Sequence, residues 1–254
     1  MLDLVDTHAH LDDASFDGDG DTMFGRSREA GVRRWVVPAI DRGNWERIEH
    51  LAASREGVSV AYGLHPLFLA NHRDEHLDEL PAWLEHHGAV AVGEIGLDFY
   101  VDGLDPERQR DLFHRQLAIA REHDLPVIVH ARRAFEEVIH TLRRMGGLRG
   151  VVHSFSGSEE QARQLFDLGF HIGIGGPVTY ERAHRIHRVV AAMPLDRLLL
   201  ETDAPDQPGS GHQGERNEPA YLRDVLRTVA NLRGESEADV AARTTANATA
   251  LFRL

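Results

Sequence analysis

Val5-Asp6-Thr7-His8-Ala9-His10 is the stretch on which the reading of this chain turns. It has the form of a short strand ending in His-x-His. Side chains alternate along a strand, so His8 and His10 project to the same side. Two imidazoles side by side at a strand end make half of a metal site. In a chain with 17 histidines the same pair also fits a solvated surface. What decides is whether later strands end in ligand-type residues too.

They do. A third strand with its exit loop covers 58–66 and ends in a histidine, His65. A fourth, 89–96, carries Glu94 at its end. A fifth, 126–130, ends in His130, and a sixth, 150–153, in His153. The eighth, 198–203, ends in Asp203. Residues 34–38 and 170–175 supply the second and seventh.

Helices are expected between the strands. The first ends before Gly31, a glycine suited to the position after a helix. Asn44 is placed to cap the next, and a short one follows over 77–87. Asp105-Pro106 has the cap and first-turn residues of a long helix, with Leu112, Phe113, Leu117 and Ala120 on one face. Another covers 133–144 and stops at Gly146-Gly147. Ser158 with Gln161, and Ser236 with Asp239, fit capping boxes. Further helices are expected over 180–192 and from Pro219.

Strands and helices thus alternate about eight times in 254 residues. This predicts an α/β fold, a (β/α)8 TIM barrel, as one domain over residues 1–254. No linker, repeat or low-complexity segment interrupts it. A doubly wound open sheet would carry a glycine-rich turn after its first strand, where this chain has histidines. In a barrel the strand ends converge on one face. His8, His10, His65, Glu94, His130, His153 and Asp203 then point to a metal-dependent catalyst. Nitrogen and oxygen donors suit Zn²⁺, Mn²⁺ or Mg²⁺, and the histidines favour the first two.

Composition removes other chemistries. There is no cysteine, so thiolate ligands, disulfides and a Cys nucleophile are excluded. There is no lysine; all 28 basic residues are arginine. Schiff-base chemistry, a Walker-type lysine and a carboxylated lysine bridging two metals are therefore excluded as well. If two metals bind, an Asp or Glu bridges them. No Gly-x-Ser-x-Gly elbow is present. Asp17-Gly18-Asp19-Gly20-Asp21 looks briefly like a calcium loop, but Thr22 and Arg28 occupy the places that need Gly and Glu. The net charge of −13 argues against sequence-blind duplex binding, which needs a basic surface. No apolar run reaches membrane-spanning length, and the first residues lack a signal-peptide pattern. A cytoplasmic monomer without an obligate protein partner is expected.

The strand-end residues sit inside longer motifs: Asp6-Thr7-His8-Ala9-His10, Gly63-Leu64-His65-Pro66, Val92-Gly93-Glu94-Ile95-Gly96-Leu97-Asp98, His130-Ala131-Arg132 and His153-Ser154-Phe155-Ser156-Gly157. Glu201-Thr202-Asp203-Ala204-Pro205, Arg216-Asn217-Glu218-Pro219 and Asn247-Ala248-Thr249-Ala250-Leu251-Phe252 complete the set. In this order, end to end, the chain resembles the TatD family of metal-dependent hydrolases, within the amidohydrolase-like barrels. The stretch from Ala204 to Gly214 is most similar to the YjjV-like branch. Ala131 stands where the family often has Ser or Cys.

The resemblance implies a deoxyribonuclease, often a 3′-exonuclease, whose substrates are DNA ends or oligonucleotides. It implies two divalent metal ions. His8, His10 and Asp203 would hold one, His130 and His153 the other, with Glu94 bridging. A water activated by the metals would attack phosphorus, and Asp203 would orient it or take its proton. Arg132 lies two residues beyond His130, and its fork suits a phosphate; a salt bridge at the barrel rim is the other reading. His65 either meets the phosphate or leaving group or packs beside Pro66. Asp6 and Glu201 flank ligands and are candidates for orienting them. Asn217 either shapes the loop over the pocket or caps the helix at Pro219, the cap being preferred. Two competing functions remain. One is a hydrolase of a small amide, lactone or phosphoester on the same site; the other is a non-catalytic metal-binding scaffold.

Overall fold

A computed structural model of the protein describes residues 2–254. Its strands are β1 (Leu4–Asp6), β2 (Val32–Pro38), β3 (Val58–Tyr62), β4 (Ala91–Asp98), β5 (Val127–Arg132), β6 (Gly150–Val152), β7 (Phe170–Ile174) and β8 (Leu198–Leu200). They form one sheet in chain order, each parallel to the next. Closure comes at Thr7, just past β1. Its N–H and its hydroxyl both donate to the Leu200 carbonyl, at 3.1 and 3.0 Å. The expected (β/α)8 barrel is the observed architecture.

The strands are apolar nearly throughout because both faces are covered. Inward residues Val5, Val36, Ala61, Ala91, Ile128, Val151 and Leu199 pack together inside the barrel. The last helix, α9 (Glu237–Phe252), covers the end of the barrel where the strands begin, with Ala248, Leu251 and Phe252 against that cluster. Asn247 anchors it by donating to the carbonyls of Leu195 and Leu198. Outward residues meet the ring of helices α1 (Gly20–Glu29), α2 (Trp45–Ser54), α3 (Asp74–His86), α4 (Pro106–Glu122), α5 (Phe135–Met145), α6 (Glu159–Asp167), α7 (His184–Ala192) and α8 (Leu222–Arg233). Among the described residues, no helix is long and apolar enough to cross a membrane.

Several caps are as the sequence predicts. Asp105 accepts from the amides of Glu107 and Arg108. Ser158 and Gln161 form a reciprocal box. Ser236 accepts from the Asp239 amide, but Asp239 answers its hydroxyl instead of its amide.

Four expectations are corrected. β4 does not end at Glu94 but continues to Asp98. Its register against β5 shifts between Val92 and Ile95. Asn44 does not cap α2 with its side chain; its carbonyl oxygen accepts from the amides of Ile40 and Asp41. The helix expected over 180–192 starts at His184, because residues 180–183 form a turn closed by the Ala183 amide on the Tyr180 carbonyl. β8 stops at Leu200, so Glu201 to Asp203 lie in the loop beyond it.

Candidate metal centre

The exits of β1 and β8 are zipped together. The Asp203 amide donates to the His8 carbonyl at 2.8 Å, and the His10 amide to Ala204 at 2.7 Å. Asp6 braces this pairing. It accepts from the Thr202 hydroxyl (2.6 Å), the Thr202 amide (3.0 Å) and the His8 amide (3.3 Å). Burial pushes its carboxyl up to about 8. It bonds backbone and hydroxyl, so it orients the loops that carry the ligands and not the imidazole rings themselves.

One donor group forms here. His8 Nε2 and His10 Nε2 are 3.3 Å apart. Glu94 Oε2 lies 3.1 and 3.5 Å from them, and Asp203 Oδ1 3.5 and 3.6 Å. Ligands about 2.1 Å from one ion at a tetrahedral angle lie about 3.4 Å apart. These distances match such a set. Burial holds His8 well below its ordinary pKa, leaving a neutral imidazole able to ligate.

The other carboxylate oxygen of Glu94 serves a second group. Oε1 lies 2.8 Å from His153 Nε2, 3.1 Å from His130 Nδ1 and 2.9 Å from His65 Nε2. His130 Nδ1 and His153 Nε2 are 3.3 Å apart. Burial opposes charge on Glu94, yet the surrounding imidazoles hold it well below the usual carboxylate range. Burial likewise opposes charge on His153, but Glu94 and Glu201 pull it well above the usual histidine value. Each oxygen of one buried carboxylate thus faces its own set of imidazoles.

The donor set fits two divalent cations. The atoms are nitrogen and oxygen only; His8, His10 and Glu94 bring their donors within 4.8 Å, and Glu94 Oε1, His130 Nδ1 and His153 Nε2 lie 2.8 to 3.3 Å from one another. Four predicted ligands cluster around Glu94, and Asp203 closes the first set from the β8 side.

Asp98 was quoted within a motif but given no role by sequence reasoning. Its Oδ2 lies 2.9 Å from His130 Nε2, while Oδ1 accepts from the amides of Tyr100 and Val101. Burial opposes its charge, but these bonds hold its carboxyl down at about 2. The His130 proton therefore sits on Nε2, and Nδ1 is free for a metal. Gly96, at φ +142°, lets β4 pass here; a Cβ would meet the His130 carbonyl oxygen at 2.1 Å.

His65 does more than pack beside Pro66. Its Nδ1 accepts from the Leu67 amide at 3.1 Å, so the neutral ring carries its proton on Nε2, aimed at Glu94. Burial lowers its pKa to about 4, keeping it neutral.

Glu201 is buried behind His8 and His153, and the three form another close group. Its Oε1 accepts from the Ser154 amide at 2.5 Å and lies 3.7 Å from His153 Nδ1. Among the described residues, Oε2, His8 Nδ1 and His153 Nδ1 have no hydrogen-bond partner.

Burial pushes the Asp203 carboxyl up to about 6. Its Oδ2 accepts from Gln207 Nε2, and Gln207 Oε1 accepts from the Ser154 hydroxyl. Sequence reading gave Gln207 no role. Asn217 does not cap the turn at Pro219. Its amide donates to the carbonyls of Thr202 and Asp206, clasping the loop after β8.

Arg132 is exposed and lies along the cleft over the metal residues. Among the described residues it makes no salt bridge; its guanidinium lies over the Tyr100 ring at 3.6 Å.

Comparison with known proteins agrees with the geometry. The model of the "TatD related DNase" family matches residues 5–253. The Escherichia coli K12 protein described as "Uncharacterized metal-dependent hydrolase YjjV" is 42% identical, over 99% of this chain and 98% of its own. A crystal structure of that homologue superposes with a TM-score of 0.95 at 41% identity, covering 99% of this chain and 98% of the other. The Cronobacter sakazakii "3'-5' ssDNA/RNA exonuclease TatD" is 35% identical, over 98% of this chain and 97% of its own. The chain belongs to the TatD-related DNase family and is a metal-dependent hydrolase.

Proposed function

We propose that the protein is a deoxyribonuclease that shortens single-stranded ends from the 3′ side, acting as a monomer of one barrel spanning residues 1–254. The observation that carries this is the division of Glu94, whose two oxygens each face a separate imidazole set. His8, His10 and Asp203 would hold one ion and His130 and His153 the other, with Glu94 between them. The many imidazoles favour Zn²⁺ or Mn²⁺. Two divalent cations at such a site supply charge that lowers the pKa of water and neutralises phosphodiester oxygens.

The chain's own residues do the rest. Asp98 orients the imidazole of His130 through its 2.9 Å contact, and Glu201 stands 3.7 Å behind that of His153. Asp203 orients the attacking water and takes its proton. Arg132 offers its fork to a non-bridging phosphate oxygen. His65 holds a proton on Nε2, available to the phosphate or to the departing alcohol. Water oxygen bonds to phosphorus as the P–O3′ bond breaks, and the alcohol leaves with a proton. The Cronobacter relative, an exonuclease on ssDNA and RNA by its description, supports the same class of substrate.

Oligonucleotides labelled at the 5′ end test the reading. A descending ladder in Mn²⁺ or Mg²⁺, absent in chelator, is the expected result. Intact oligonucleotides beside opening of a lactone, an amide or a small phosphoester would replace it with the small-molecule alternative.

A further inference from the structure

The cleft above Glu94 is about 960 Å³, at the upper end of what a small ligand fills. Its charge is lopsided. Asp13 and Asp206 line it on the β1 and β8 side. Arg132 lines it at the β5 exit, and Arg182 and Arg185 line it where the chain leaves β7 for α7. Between these arginines the lining is Phe155, Pro177, Val178 and Ile186, with Ser154 and Ser156.

Arg182 and Arg185 line this cleft without a carboxylate to neutralise them. Sixteen of the 28 arginines lie within 4.0 Å of a carboxylate. Among the described residues Arg182 and Arg185 have no such partner, although Glu181 is adjacent in sequence. Both are exposed, Arg182 in the turn before α7 and Arg185 in its first turn. The wall beneath them is fixed. The Tyr180 hydroxyl donates to the Pro208 carbonyl, and the Ser210 amide donates to the Thr179 hydroxyl at 2.7 Å. Gly176 packs so closely that a Cβ would meet the Gln207 carbonyl oxygen at 2.2 Å. Two guanidiniums without a carboxylate partner, that of Arg182 lying over the Tyr180 ring at 5.8 Å, face a cleft with apolar lining and suit an anion whose uncharged parts are flat and apolar.

We infer that Arg182 and Arg185 form a second phosphate subsite, which takes a backbone phosphate flanking the scissile one in a single-stranded oligonucleotide. The subsite rests on the nuclease reading and adds a direction to it. The strand leaves the metal residues across the β6 and β7 exits, away from Asp13 and Asp206. Its bases lie on the apolar lining and its phosphates face the arginines. Duplex DNA, with its backbones held apart by pairing, does not fit this path.

The test compares wild type with Arg182→Ala/Arg185→Ala, and with Arg188→Ala as a control. Arg188 is exposed on the same helix but does not line the cleft. The substrates are a 5′-labelled single-stranded oligonucleotide and bis(p-nitrophenyl) phosphate, which has one phosphodiester and no flanking phosphate. The double variant should raise KM for the oligonucleotide about tenfold with kcat changed little. Bis(p-nitrophenyl) phosphate kinetics should change less than twofold. The slope of log KM against log salt should fall by about 0.7, the value for one lost phosphate contact to a single strand. Binding of the labelled oligonucleotide, followed by anisotropy in chelator, should weaken in parallel. Arg188→Ala should match wild type throughout.

Equal binding and equal salt slope in the double variant and wild type would overturn the subsite. So would an effect of Arg188→Ala as large as that of the double variant, since that is diffuse charge alone. If wild type binds oligonucleotides through Arg182 and Arg185 but leaves them intact, the subsite stands and the nuclease reading fails.

Discussion

Gly173 is where Glu201 can be moved without being touched. A Cβ at Gly173 would lie 2.1 Å from Glu201 Oε2, 2.7 Å from its Cδ and 3.1 Å from Oε1. Ordinary contact begins near 3.4 Å, so in Gly173→Ala the carboxylate must retreat by about 1.3 Å. The backbone of Gly173 is ordinary strand, and the three atoms nearest such a Cβ all belong to Glu201. Glu201 is buried, and its Oε1 accepts from the Ser154 amide at 2.5 Å. Overpacking of this kind costs about 1–3 kcal/mol. Breaking a buried hydrogen bond to a charged acceptor adds about 1.5–3 kcal/mol. In a Glu201→Ala background the obstacle is gone. Gly173→Ala should then be neutral or stabilise by about 0.5–1 kcal/mol, the usual gain over glycine in a strand. Urea denaturation of the four proteins in chelator, analysed as a double-mutant cycle, should give a coupling of at least about 1 kcal/mol. Gly173→Ala should also lose metal to chelator faster than wild type, because Glu201 stands behind His153. An equal cost of Gly173→Ala in both backgrounds would refute the reasoning.

Three further outcomes follow from the same geometry. Asp203→Asn keeps the shape and one oxygen but removes the charge; it should fold, retain the ion of His130 and His153, and hydrolyse phosphodiesters at least about a hundredfold more slowly. Near-normal turnover with both metals bound would move the base role elsewhere, His65 being next. Glu94→Gln leaves five imidazoles without their shared carboxylate, and elemental analysis should find fewer than two ions per chain. Asp6 has its carboxyl at about 8 when folded against an ordinary 3.8. Between those values the folded chain keeps a proton that the unfolded chain releases, so stability of the metal-free protein falls as pH rises from about 4 to about 8. Asp6→Asn, a neutral side chain of the same shape, should flatten that dependence in denaturation measured at several pH values.

The barrel was legible because its signals are local. Eight apolar runs, separated by capped helices such as the one opened by Asp105 and Pro106, carry the alternation in the order of the chain. The ligands were legible because strand exits converge in this fold, so His8, His10, His130 and His153 could be placed on one face without coordinates. What escaped depends on register or on loops. Asp98 reaches His130 only because β4 runs four residues past Glu94 and pairs Asp98 with Arg132 on β5. Gln207 meets Asp203 and Ser154 through a loop whose path no periodicity describes. Asn44 and Asn217 had the residue type of helix caps, but nearby carbonyls and amides compete for such side chains; the amides of Ile40 and Asp41 took Asn44, and the loop after β8 took Asn217. The proton position on His65 follows from the Leu67 amide, a contact visible only in three dimensions.

The central claim is that one buried carboxylate, Glu94, divides two cations between its oxygens. Anomalous diffraction at the manganese edge, on crystals of the wild-type protein grown with Mn²⁺, tests it most directly. The account predicts two peaks about 3.5–4 Å apart, one beside Glu94 Oε2 with His8 and His10 and one beside Oε1 with His130 and His153. A single peak, or two peaks neither of which touches Glu94, would contradict it.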